Sequence, residues 1–311
     1  MALPQKTPPS RSSTGALGAY VRNNRLAAAM LGLAVVAIGG LLLQSLTRLA
    51  TGGAPPGFGK ALLGGLAAFG ATALGALPAL GMRGISQKLE DSMLGMAAGM
   101  MLAASAFSLI IPGIEAGKGL FGSKTSGTLI VVFGMSLGVM LMLGLERFTP
   151  HMHGTTGPCG PGNERYGRVW LFVFAIALHN LPEGMAIGVS FAHNDLSVGL
   201  PTTIAIALQD IPEGLAVALA LRTIDVGAGR AVLLGAASGL VEPLGALLGV
   251  GLSSGLEAAY PTGLGLAAGA MIFVVSHEVI PETHRNGHQT PATIGLMAGF
   301  ALMMVMDTTL G

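Results

Sequence analysis

The sequence predicts an all-α, polytopic membrane protein, and three observations carry that prediction. Only 10% of the 311 residues are charged while 51% are hydrophobic, with 49 Gly among them. This is the composition of a chain embedded in lipid and not of one large soluble domain. Apolar runs of about 20 residues, the length needed to cross a bilayer, recur along the chain. Only helices and closed barrels satisfy their backbone in lipid, and these runs are too long and continuous for barrel strands.

Residues 1–25 carry Lys6, Arg11, Arg22 and Arg25 among several Pro and Ser and read as a flexible tail. The run at 26–47 is too long for the apolar core of a secretory signal, so it reads as a retained helix. Further spans follow at 59–82, 91–112, 126–146, 169–193, 199–221, 230–252, 261–283 and 290–310, nine in all. The longest loop, about 149–168, is rich in Gly and Pro and is expected to be flexible.

Basic residues accumulate in cytoplasmic loops. With the N-terminus inside, the inside segments hold twelve: Lys6, Arg11, Arg22, Arg25, Arg83, Lys88, Arg147, Arg165, Arg168, Arg222, Arg230 and Arg285. The outside segments hold four: Arg48, Lys60, Lys118 and Lys124. The tail and the 149–168 loop are then cytoplasmic, and Gly311 faces the periplasm. The single cysteine, Cys159, lies in that inside loop and has no second cysteine to pair with. Gly95 and Gly99, Gly134 and Gly138, Gly245 and Gly249, and Gly265 and Gly269 stand four residues apart, a spacing that lets helix backbones approach. In so Gly-rich a chain such pairs also arise by chance, so the spacing names no particular interface.

Two stretches in adjacent spans read alike. They are His179-Asn180-Leu181-Pro182-Glu183-Gly184 and Gln209-Asp210-Ile211-Pro212-Glu213-Gly214. Ionisable groups inside a membrane cost a few kcal/mol apiece and by default mark an ion pathway. Adjacent spans run in opposite directions, so the two copies form an inverted pair, the arrangement that puts a transporter's substrate site at the midplane. Depth agrees. His179 is eleven residues past Arg168, Glu213 nine before Arg222, and Glu242 twelve past Arg230. At about 1.5 Å per residue all three lie roughly 14–18 Å from the cytoplasmic edge, half of a core about 30 Å thick.

On a helix, His179, Asn180 and Glu183 project into one arc of about 100°, and so do Gln209, Asp210 and Glu213. Pro182 and Pro212 delete intrahelical hydrogen bonds, which is expected to free the carbonyls of Leu178 and Leu208 and bend both helices. Glu242-Pro243 repeats the acid-then-proline order on a third helix. Together these helices offer one imidazole, two carboxamides and four carboxylates, with no Lys or Arg in the span interiors to neutralise them. Two divalent cations would cancel four charges, which points to a binuclear site bridged by Glu183 and Glu213. Nitrogen and oxygen ligands without thiolate suit Zn²⁺, Fe²⁺, Mn²⁺ or Cd²⁺ better than Cu⁺. The imidazole disfavours a dedicated Mg²⁺ or Ca²⁺ site.

These motifs, with Ser276-His277-Glu278-Val279-Ile280-Pro281-Glu282, make the chain resemble the ZIP (Zrt-, Irt-like protein) metal transporters, in the bacterial GufA-like branch. The resemblance covers residues 59–311, an eight-helix core, and leaves the helix at 26–47 as an addition. It implies uptake of a divalent transition metal, zinc first, across the inner membrane into the cytosol. It implies a first metal site of His179, Glu183, Gln209 and Glu213, and a second of Asn180, Asp210 and Glu242 that shares the bridging glutamates. It also implies alternating access, with the helices at 59–82, 169–193, 199–221 and 230–252 moving as a metal-carrying bundle against the remaining core helices.

Flanking polar residues extend the route. Asp307 lies near the outside end of the last span, a candidate entrance, and Asp91, His277, Glu278 and Glu282 lie near inside ends, with His284 and His288 beyond them, a candidate exit. His151 and His153 in the loop are weaker metal candidates. The expected partners are the lipid bilayer and the metal ions, with a second copy of the chain as a further candidate and no nucleic acid. No organic cofactor is expected. The rival from another class is an intramembrane zinc hydrolase, because His277-Glu278 begins an H-E-x-x-H pattern. Position 281 is Pro, so the pattern fails, and the midplane set lacks the His-rich open site of catalytic zinc. A metal-selective channel of the same fold is the other alternative.

Overall fold

The computed structural model describes residues 56–148, 151–153, 157–159, 167–253 and 257–310, with isolated positions between 21 and 47. Among them, eight helical stretches are long and apolar enough to cross a membrane: Phe58–Leu80, Gln87–Phe121, Lys124–Phe148, Val169–Ser190, Leu196–Thr223, Ala228–Ser253, Ala259–His284 and Gln289–Thr309. The chain is a multi-pass membrane helix bundle.

In chain order, α1 is Phe58–Ala76, continued by a 3₁₀ turn at Leu77–Leu80. Helices α2 (Gln87–Ala104) and α3 (Ile111–Phe121) are joined by a π-helical turn at Ser105–Ile110. Next come α4 (Lys124–Phe148), α5 (Arg168–Ser190) and α6 (Leu196–Thr223). Helices α7 (Ala228–Ser238) and α8 (Val241–Ser253) make one interrupted span. Helix α9 (Ala259–Val274) passes through a second π turn at Val275–Val279 into α10 (Ile280–His284), and α11 is Gln289–Leu310.

Three departures from the expected spans have local causes. The span expected to end at 112 runs on to Phe121, because the π turn lets the helix pass Pro112: the Ile111 amide donates to Ala106 O, five residues back. The same device, Ile280 N–H to Val275 O, precedes Pro281. The continuous helix expected over 230–252 is broken at Gly239 and Leu240, which puts Pro243 in the first turn of a new helix, where its missing N–H costs nothing. By contrast, α5 and α6 run helical past Pro182 and Pro212.

In the 149–168 loop, where only flexible chain was expected, His151–His153 and Gly157–Cys159 pair antiparallel with His151 opposite Cys159. The side chains of His151 and His153 lie outside the described residues, as do residues 1–20 of the expected tail and most of 26–47. The described positions in 26–47 are helical, and Leu31 among them packs on Gly144 of α4.

The spans sort into two bundles. One consists of α1, α5, α6 and α7–α8, and the other of α2–α3, α4, α9–α10 and α11. Small residues lock each internally. Gly184 and Gly188 of α5 face the backbone of α8 at Glu242 and Ala246, while Gly245 and Gly249 of α8 face α5 in return. Gly95 and Gly99 of α2 meet Ala292 and Leu296 of α11, and Gly295 and Gly299 meet Ser92 and Met96. Gly134 and Gly138 of α4 meet Thr262 and Leu266 of α9, and Gly265 and Gly269 meet Val131 and Met135. A Cβ at any of these twelve would run into the opposing backbone. All four pairs noted in the sequence therefore sit at helix crossings, each answered by a second pair.

Candidate metal centre

The two Pro-Glu-Gly helices and the broken span place their polar side chains together inside the first bundle. His179, Asn180, Glu183, Gln209, Asp210, Glu213 and Glu242 are all buried, none more than 3% exposed. Ligand oxygens of Glu183, Asp210 and Glu213 lie within 4.8 Å of one another. Gln209 Nε2 donates to Glu183 Oε1 at 2.6 Å and ties α6 to α5. Asn180 Nδ2 donates to Glu242 Oε1 at 3.2 Å and to the Ser238 carbonyl at 3.0 Å. That carbonyl ends α7, next to the break at Gly239 and Leu240, so the interruption itself supplies an acceptor to the cluster.

What these contacts leave over defines the chemistry. Asn180 Oδ1, Glu183 Oε2, Gln209 Oε1, Glu242 Oε2 and both carboxylate oxygens of Asp210 and Glu213 are buried and have no hydrogen-bond partner within the protein. Buried acceptors are normally satisfied, and an unsatisfied one costs about 1–3 kcal/mol. Eight of them in one patch, all oxygen and all acceptors, fit a cation far better than a packed core. The donor set, carboxylate and amide oxygen with one imidazole, suits zinc and its neighbours.

His179 reaches toward the other bundle. Its Nε2 lies 3.1 Å from Glu278 Oε2 in the π turn after α9. Below this contact a small cavity of about 30 Å³ is lined by His179, Glu213, Glu278 and Glu282. A larger one of about 370 Å³ shares Leu94, Phe172 and Glu282 with it and continues past Glu90 and Asp91 to Arg83 and Arg285. The two cavities therefore adjoin, the smaller beside His179 and Glu213 and the larger beside Arg83 and Arg285.

The other expected pathway residues separate into two groups. Asp91 and Glu282 line the larger cavity. Asp91 accepts from His288 Nδ1 at 2.8 Å and Asn286 Nδ2 at 3.1 Å, and Glu282 pairs with Arg285 at 2.7 Å. His277 is half exposed and pairs with Glu146 at 3.0 Å. His284, expected at the exit, is turned away from both cavities: its Nδ1 sits 2.9 Å from Ile280 O and 2.9 Å from Thr283 Oγ1, closing the end of α10. At the far end, Asp307 accepts from Ser108 Oγ at 2.6 Å, and Ser108 belongs to the first π turn.

Two participants escaped the sequence reading of the cluster. Thr72 of α1 donates to Glu242 Oε1 at 2.7 Å. Glu278, assigned to the exit, contacts His179 directly. Nothing local in the sequence marks Thr72. For Glu278, the local sequence marks a polar residue near a span end but not the π turn that carries it to His179.

Comparison with known proteins identifies the family. A family model described as ZIP Zinc transporter matches residues 156–307. The chain is 64% identical over 283 residues to the zinc transporter ZIPB of Bordetella bronchiseptica, covering 90% of this chain and 92% of the relative. It is 44% identical over 227 residues to the zinc transporter GufA of Myxococcus xanthus, covering 73% and 89%. A more distant relative, the zinc transporter ZIP11 of Homo sapiens, is 28% identical over 306 residues. These relatives are named as transporters, which leaves the hydrolase reading without support. With that identity carried over nine-tenths of its length, the chain belongs to the ZIP zinc transporter family.

Proposed function

We propose that this chain carries zinc across the bacterial inner membrane into the cytosol, binding two ions at the midplane cluster and working by alternating access. The observation that carries this reading is the patch of eight buried acceptor oxygens shared by α5, α6 and α8. Glu183 and Glu213 bridge the ions. His179 and Gln209 complete one site, and Asn180, Asp210 and Glu242 the other. The metal enters near Asp307 and Ser108 and leaves past Glu278, Glu282 and Asp91 through the cavity at the basic end, which the charge distribution assigns to the cytosol. The bundle of α1, α5, α6 and α7–α8 carries the ions, and the other bundle is its wall. Residues 26–47 form a ninth span beside α4, with the N-terminus cytoplasmic. Cd²⁺, Fe²⁺ and Mn²⁺ are candidate further substrates because their ligand preferences overlap those of zinc.

The test is uptake of a panel of divalent metals into proteoliposomes containing the wild-type chain, Glu183→Ala or Glu213→Ala. Saturable zinc uptake that both substitutions abolish is expected. Unchanged zinc uptake in well-inserted variants would contradict the reading.

A further inference from the structure

We propose that Thr72, on α1 and outside every motif, is a specificity-determining positioning residue that holds Glu242 to one-oxygen presentation toward the metal. The inference rests on Glu242 being a ligand of the second site, as proposed above. Thr72 is 1% exposed and Glu242 is fully buried. A threonine inside a helix ordinarily gives its single hydroxyl proton to the carbonyl four residues back. Here that acceptor, Ala68 O, is 3.4 Å away, while Glu242 Oε1 is at 2.7 Å. The short bond crosses between helices, and the proton goes to the carboxylate. Asn180 Nδ2 donates to the same oxygen at 3.2 Å. Oε1 is thereby occupied twice, while Oε2 has no partner within the protein.

The surroundings hold this geometry from two sides. Gly214 of α6 lies directly against the backbone of Thr72 and fixes the position of its Cα. Gly239, at the break between α7 and α8, leaves the space the bond needs: a Cβ there would lie 2.9 Å from Glu242 Oε1, from Thr72 Cβ and from Thr72 Oγ1.

The consequence is chemical. A carboxylate with one oxygen engaged offers a metal a single ligand atom. That suits zinc, which takes four or at most five ligands, since Asn180, Asp210, Glu183 and Glu213 with one oxygen of Glu242 already supply five. It penalises larger ions, whose higher coordination numbers are filled by bidentate carboxylates. Freeing Oε1 lets Glu242 chelate and narrows the preference for zinc over cadmium.

Equilibrium dialysis of the purified full chain against zinc, and separately against cadmium, tests this. In Thr72→Val, one of the two zinc equivalents should weaken by about tenfold, the size of one lost charge-assisted hydrogen bond. The other equivalent should be unchanged, cadmium should weaken less than zinc, and Thr72→Ser should behave as wild type. Gly239→Ala, which attacks the same bond from the other side, should give the Thr72→Val pattern. Wild-type affinities and zinc preference in both Thr72→Val and Gly239→Ala would overturn the proposal, as would equal weakening of both equivalents. Glu242→Ala separates the two layers of inference. If it loses one equivalent while Thr72→Val loses none, only the role of Thr72 fails; if it keeps both, the second-site reading fails as well.

Discussion

The interior of each bundle and the seam between the bundles are built differently. Inside each bundle helices touch backbone to backbone at glycine crossings, as between α5 and α8, α2 and α11, or α4 and α9. Across the seam the described hydrogen bond and ring contact are made by side chains. For Gly263 of α9, the described glycine whose Cβ would reach the other bundle, the nearest atoms are side-chain ones, Ser253 Oγ at 2.6 Å and the Val189 methyls at 3.3 Å. His179 meets Glu278, and His193, after α5, stacks on Tyr260 at the start of α9 with ring centroids 4.0 Å apart. Interlocked backbones resist sliding, whereas side-chain contacts can be exchanged one set for another. Shear between packed elements proceeds by such small rearrangements. On the proposed mechanism the seam is where motion should cost least, and the buried polar cluster lies wholly on one side of it.

Removing a ligand from the cluster should do most. His179→Ala or Glu213→Ala should cut zinc uptake by well over tenfold, since the loss of an outer partner alone typically costs about 10–100-fold in metal affinity. Uptake normalised to inserted protein checks this. Next comes the contrast between a crossing and the seam. Gly188→Val drives two methyls and a Cβ into the α8 backbone and should destabilise the fold by about 1–3 kcal/mol or more. Gly263→Ala adds one methyl among side chains, so it should leave the melting temperature nearly unchanged while slowing transport. Equal melting temperatures for Gly188→Val and Gly263→Ala would erase the distinction.

Smaller effects sharpen the account of the cluster. Asp210→Ala or Glu242→Ala should remove one bound zinc and leave the other, read by dialysis with elemental analysis. A wild-type chain that never binds more than one zinc there would refute the binuclear arrangement. The slope of zinc affinity with pH should be shallower in Glu242→Gln than in wild type. Metal ligands bind deprotonated, so each acid in the cluster adds one proton to the competition as pH falls from about 7 toward 5. Identical slopes in the two proteins would mean that Glu242 takes no part.

Much of this was legible in the sequence. Eight spans follow from hydropathy because lipid tolerates nothing but satisfied helices there. The paired motifs and Glu242-Pro243 announce the cluster because polar residues at midplane depth are costly. The glycine spacing was visible, but which helix each pair would meet depends on tertiary packing, and the answering pairs at Gly184 and Gly188 and at Gly295 and Gly299 emerge only from the fold. The break at Gly239 and Leu240 was hidden by an otherwise apolar run. The two π turns were hidden because a proline alone does not announce one: Ile111-Pro112 reads as a helix end, and Ile280-Pro281 lies inside an expected span, as Pro182 and Pro212 do. Thr72 was illegible for the plainest reason: its partner is 170 residues away in the chain.

A crosslink across the seam tests whether one bundle moves against the other while it carries the metal. In a Cys159→Ser background, His193→Cys with Tyr260→Cys places two thiols where the stacked rings now join the bundles. Bridging them with a short bifunctional thiol reagent that can be cleaved afterward should stop zinc uptake into proteoliposomes, and cleavage should restore it. Uptake that continues at the uncrosslinked rate with the bridge complete would contradict the account and favour a channel through a fixed bundle.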